Sequence, residues 1–160
     1  MEDYDNAYES RRNAMIIWRK IPLAKQKKTR TNRGENQDVV GVQLKPFLPQ
    51  LQPTLLKGLN DPARQVRVKA GNALGLLSQI HVRIDPIFVE LLNGLKMNDD
   101  PSFKETYLLA LKNCLAAVAS KLSEDMKKQT EQSLINCQSN ESDVVRQTAL
   151  SCKEILLSSN

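Results

Sequence analysis

Aromatic side chains are scarce in this chain, at 4% of its residues, and there are six glycines, three cysteines and one histidine. Each shortage excludes something. Few aromatics beside 41% apolar residues rich in Leu, Ala and Val suit thin helical layers better than a β-sandwich. The scattered glycines leave no phosphate-cradling loop, and neither a Walker sequence nor G-x-S-x-G occurs. The cysteines lack C-x-x-C spacing, and their odd number suits a reducing compartment. The one histidine, His81, cannot build a metal site without thiolate or carboxylate partners, and it reads as a turn residue bonding backbone. No apolar run is long enough to span a membrane, and the short run from Ala14 to Ile17 is broken by Trp18-Arg19-Lys20, unlike a secretory signal. The expectation is a cytoplasmic protein that is not an enzyme, with no cofactor, metal, membrane or small-molecule substrate.

Negative charge is also missing from one stretch. Arg11 to Arg33 hold nine Lys/Arg and no Asp/Glu, whereas fourteen basic and twelve acidic residues follow from Val39 onward. The net charge of +5 therefore belongs mainly to a leader, residues 1–41, whose KQKKTRTNRGENQD stretch reads as disordered. Tyr8 to Leu23 could form a short amphipathic helix, limited by Pro22. Lys25, Lys27, Lys28, Arg30 and Arg33 are candidates for a polyanion-binding arm, an import signal or simply a solubilising tail.

What the chain has in abundance is repetition. An apolar helix, a short Asp/Asn turn and a second helix opening on an apolar–basic pair occur three times over residues 42–160. The opening pairs are Val66-Arg67, Phe103-Lys104 and Val145-Arg146, spaced 37 and then 42 residues apart. A period near 40 with two helices per unit predicts an all-α solenoid of about three HEAT-like helix pairs, at about 44–80, 85–120 and 123–158. In the first helix Leu48, Leu51, Leu55 and Leu59 recur at helical spacing. Asp-Pro steps at Asp61-Pro62, Asp85-Pro86 and Asp100-Pro101 mark helix starts, with the Asp as cap and Pro in the first turn. Ser123 is the expected cap of the fifth helix, whose apolar face is thin. Ile155, Leu156 and Leu157 do not resemble a polar closing repeat, which predicts an end that packs on something.

Solenoids present surfaces, so candidate residues are sought for binding rather than chemistry. Cys114, Cys137 and Cys152 fall on inward faces and read as small buried hydrophobes. Asp99-Asp100 is explained by capping. Arg64, Arg67 and Lys69 crowd the start of the second helix as a candidate cationic stripe for an acidic partner or RNA. Arg67 has a second reading, in which it bonds Asp61 or a carbonyl of the preceding turn.

The phrases LKPFLPQLQ, VRVKAGNALG and DPIFVELLNG, continued more faintly by DDPSFKETYLLALKN and NESDVVRQTALSCKEI, cover residues of about 42 to 158. Through them the chain resembles the very large HEAT-repeat translational activator of the general amino-acid control kinase, in a short segment from its C-terminal part. The resemblance implies a partner in the kinase's RWD domain, association with ribosomes, and a role in promoting kinase activation during amino-acid starvation. Two alternatives stand beside that role. One is a truncated competitor of the activator. The other is a ribosome- or RNA-associating scaffold acting through the basic leader.

Overall fold

The computed structural model describes residues 45–159, and every regular element among them is helical. A 3-10 turn at Lys45–Phe47 leads into α1 (Leu48–Gly58), followed by α2 (Arg64–Ser78), α3 (Asp85–Met97), α4 (Pro101–Val118), α5 (Glu124–Cys137) and α6 (Asp143–Leu157). Short connections fold these into three successive helix pairs, and the expected helical array is borne out. The leader and its proposed helix and disorder lie outside the described residues.

The core follows the apolar periodicity. Leu55 and Leu59 from the first pair, Ile87, Phe88 and Leu91 from α3, and Leu108, Leu111 and Leu115 from α4 are buried in one continuous cluster. In the third pair Met126, Leu134, Val145, Ala149, Cys152 and Leu156 extend it. Cys137, expected to face inward, is half-buried instead, as are Val66 and Phe103 of the opening pairs. Leu157 is exposed, while Leu156 is buried beside it.

The turns obey the capping logic in two places and depart from it in two. Asp100 caps α4, its carboxylate accepting the Ser102 N–H at 2.7 Å, and Ser123 caps α5 by accepting the Met126 N–H at 3.3 Å. Asp61 does not cap α2. Its carboxylate accepts the Ala63 N–H at 2.8 Å, two residues on as for Asp100, but here the helix starts only at Arg64, with Ala63 as its N-cap. Pro62 consequently sits in the turn, outside the helix. Asp85 is the first residue of α3 rather than its cap, and its carboxylate reaches the Ser123 N–H of the next pair at 3.4 Å.

Small residues set how the pairs stack. A Cβ placed on Gly71 would stand 3.0 Å from the Ala110 Cβ, and one on Gly75 would stand 2.7 Å from the Asn113 Cβ. Backbone approach at these glycines brings α2 and α4 into close contact over their length, and α6 continues the row against α4. The first helices α1, α3 and α5 meet one another more sparsely. The second helices thus form a more closely packed row than the first helices.

Candidate partner-binding surface

The apolar–basic pair that opens each second helix has a structural meaning. The N-caps of α2, α4 and α6 are Ala63, Asp100 and Ser142, so Arg67, Lys104 and Arg146 each stand four residues past a cap. Arg67 is 2% exposed. Its Nη1 donates to the carbonyls of Asp61 at 3.0 Å and Pro62 at 3.1 Å, closing the turn of its own pair. On its other side Nε donates to Thr106 Oγ1 at 3.2 Å and Nη2 to Ser102 Oγ at 2.6 Å, with the guanidinium lying 4.1 Å over the Phe103 ring. One planar fork thus ties a turn to the next pair, a task that needs arginine's several directed donors. Arg146 repeats the first half of this pattern, donating to the carbonyls of Asn140 at 2.6 Å and Glu141 at 2.8 Å. Its other edge turns back to Asp143. Lys104, a point charge, lies 3.8 Å from the Asp99 carboxylate.

The three cations expected to form a stripe are therefore not brought together. Arg67 is buried, and its bonds match the second reading the sequence offered for it. Arg64 keeps 56% of its side chain exposed and pairs at 2.6 Å with Glu105 of α4. Lys69 is exposed, but it stands five residues beyond Arg64, about 140° round the helix at about 100° per residue. What the row of second helices presents instead is a ladder across α2 and α4: the Arg64–Glu105 pair and, farther along, Asn113 Nδ2 donating to Asn72 Oδ1 at 2.8 Å. Glu105, Asn72 and Asn113 were missed in the sequence because no local pattern marks them. Their role depends on a cross-helix register, each rung joining a position on α2 to the one four places further along α4. Lys25, Lys27, Lys28, Arg30 and Arg33 lie outside the described residues.

Cys114 and Cys152 are buried among the described residues. Burial pushes the thiols of Cys114 and Cys152 up to about 12, from an ordinary 9.0, despite the Ser78 hydrogen bond and the Lys112 charge that oppose the shift. Both are neutral thiols at physiological pH. Burial also raises Cys137, which borders an open groove of about 510 Å³ between α3 and α5 lined by Lys96, Lys104, Gln129, Gln132 and Asn136. That groove offers amides and ammonium groups without a carboxylate or histidine. His81 is half-buried with an unpartnered Nε2, and among the described residues no group of His, Cys, Asp and Glu could hold a metal ion. No helix among them is long and apolar enough to cross a membrane.

The sequence agrees with a particular set of HEAT proteins. Residues 85–159 match the family described as stalled ribosome sensor GCN1-like, HEAT repeats, and residues 34–77 match a HEAT-like repeat family. The chain is 42% identical over 113 residues to the stalled ribosome sensor GCN1 of Mus musculus. The repeat region is a GCN1-like HEAT segment. The human protein of the same name is 41% identical over 113 residues, and the eIF-2-alpha kinase activator GCN1 of Saccharomyces cerevisiae is 40% identical over 85 residues. The alignments take in 71% of this chain for the two mammalian proteins and 52% for the yeast one. The chain spans only about 4% of the length of the mammalian relatives and 3% of the yeast one. No solved structure matches it. The resemblance read from LKPFLPQLQ, VRVKAGNALG and DPIFVELLNG, to a segment from the C-terminal part of the activator, is borne out, and the homology makes this GCN1-like segment a repeat scaffold.

Proposed function

We propose that this GCN1-like segment is a non-catalytic, cytoplasmic scaffold that binds the RWD domain of the amino-acid-starvation kinase and promotes that kinase's activation. The observation that supports it most is the kinship to a protein named as an eIF-2-alpha kinase activator, on a fold whose second helices carry a polar ladder. Arg64 and Lys69 are the cations proposed to contact the partner, because both are exposed. Arg67 acts as a positioning residue that fixes the turn before α2 and the helix after it. Titrating the full chain against the kinase's RWD domain tests this. Saturable binding is expected, weakened roughly tenfold or more, about 1.4 kcal/mol, in the Arg64→Ala/Lys69→Ala double variant at unchanged helicity. An RWD domain that does not bind the folded wild type sinks the reading.

A second reading has its own observation. The mammalian relatives are named stalled ribosome sensors, and nine cations without an acid lie between Arg11 and Arg33. In this reading Lys25, Lys27, Lys28, Arg30 and Arg33 hold the scaffold to ribosomal RNA. Binding to ribosomes would then fall steeply with salt and be lost on deletion of residues 1–41. If the kinase is bound without ribosomes, the chain acts as a competitor of the full-length activator, and overexpression in starved cells lowers initiation-factor phosphorylation.

A further inference from the structure

The groove between α3 and α5 draws its walls from two adjacent pairs. Leu92 and Leu95, both buried, make its floor apolar. Its α5 wall is made of carboxamides. Gln129, Gln132 and Asn136 follow one another at spacings of three and four, within about 60° of one line along the helix, and all three are exposed. A helix turned toward its neighbour ordinarily carries apolar residues at such spacing. The amides of α5 are also oriented. Gln132 Nε2 donates to Asn136 Oδ1 at 3.3 Å, and Gln129 Nε2 donates to Asp125 Oδ2 at 2.9 Å. Among the described residues nothing bonds Gln132 Oε1 or Asn136 Nδ2, so an acceptor and a donor stand ready side by side.

The charge of the groove has one sign. Lys96 and Lys104 border it, and no Asp or Glu does. Lys96 is exposed and forms no ion pair among the described residues. Lys104 reaches Asp99 only at 3.8 Å, and its charge is felt by the Cys137 thiol on α5. We propose that this groove binds an acidic peptide in extended form. A carboxamide pairs a donor with an acceptor, as a peptide bond does, so the α5 wall matches a peptide backbone. The seven residues from Gln129 to Asn136 rise about 10 Å, the length of about three extended residues. Side chains of an extended peptide alternate, which turns carboxylates to Lys96 and Lys104 and the residues between them to the Leu92–Leu95 floor. A nucleic acid fits less well, because no aromatic ring and no arginine lines the groove. The groove shares no residue with Arg64 and Lys69, so it is independent of the kinase-binding reading.

Nuclear magnetic resonance of the nitrogen-15-labelled full chain tests the proposal. The probe is an end-blocked peptide of about six residues that alternates aspartate with valine. The side-chain amide signals of Gln132 and Asn136 are followed, which separates the groove from the cations between Arg11 and Arg33. Saturable shifts of these signals are expected. Lys96→Glu is expected to weaken binding roughly tenfold or more, and Gln132→Leu to weaken it as well. Lys57→Glu, an equal charge change at an exposed position of α1, is expected to leave it unchanged. All three positions are exposed, so the backbone spectra should match the wild type away from the substitutions. Signals that do not move, or equal weakening by Lys96→Glu and Lys57→Glu, would overturn the proposal. So would equal binding of a serine–valine peptide, or equal shifts from acetate or a short oligouridylate, which would mark an apolar slot, a bare anion site or a nucleic-acid site.

Discussion

At the residue scale, Arg67 does the work of a joint. It is a buried cation whose fork bonds two turn carbonyls and two hydroxyls of the next pair while its face stacks on Phe103. Truncating it leaves several of those acceptors without donors, at about 1–3 kcal/mol for each one left buried and unsatisfied. Arg67→Ala is therefore expected to lower stability by about 2–4 kcal/mol in urea melts followed by circular dichroism. Arg67→Lys should recover little of the loss, since an ammonium cannot span both sides of the joint. The reverse change is informative at the middle pair. Lys104 holds the position at which Arg67 and Arg146 both clasp the carbonyls five and six residues back. Lys104→Arg is expected to stabilise by about 1 kcal/mol through the same clasp on Asn98 and Asp99. A melt unchanged by Lys104→Arg would mean that the turn before α4, already capped by Asp100, has no use for it.

At the element scale, Gly75 sets how closely α2 approaches α4. Replacing a mid-helix glycine by alanine ordinarily favours the helix by about 1 kcal/mol. Here the added Cβ would meet Asn113 Cβ at 2.7 Å and its backbone carbonyl carbon at 3.1 Å, atoms that cannot swing aside. Overpacking of this kind costs about 1–3 kcal/mol, so the overlap outweighs propensity and Gly75→Ala should lower the melting temperature. A rise in melting temperature would show that the helices can part without loss. The element pattern was largely legible in the sequence. Apolar spacing of three and four marks every helix but α5, whose apolar face is thin, and the Asp/Asn turns mark the connections within the pairs. Cap positions were less legible, because Asp61 and Asp100 precede proline alike yet only Asp100 caps. Both carboxylates accept the N–H two residues on, and the difference lies in the backbone that follows: Pro101 opens α4, whereas Pro62 and Ala63 stay outside α2. The candidate surface was legible only in part. Local sequence shows that cations are near one another along the chain, but whether Arg64, Arg67 and Lys69 share a face depends on helix phase and on what packs alongside.

At the scale of the whole molecule, stability is unevenly distributed along the stack. The first two pairs are joined by the Arg67 fork, the Arg64–Glu105 ion pair, the Asn72–Asn113 rung and the Tyr107 hydroxyl donating to Asn60 Oδ1 at 3.0 Å. The third pair is tied to the second by longer polar contacts, Ser123 N–H to Asp85 at 3.4 Å and the Cys152 thiol to the Leu108 carbonyl at 3.5 Å. Its α5 buries only Met126, Thr130 and Leu134, and the Thr130 hydroxyl is buried without a partner. In an array whose units contact only their neighbours, such differences separate local opening from global unfolding. Hydrogen exchange of dilute protein read by mass spectrometry should therefore find α4 the slowest helix, since it is packed against α2, α3 and α6. Amides of α5 should exchange first among the helices, with α6 following and α2 holding nearly as long as α4. Equal protection of all six helices would mean that the pairs unfold as one unit and that the polar joint between the first two adds nothing to local stability. The predicted order would instead leave an α2–α4 platform standing while the terminal pair opens, keeping the proposed binding ladder intact when the rest of the stack has loosened.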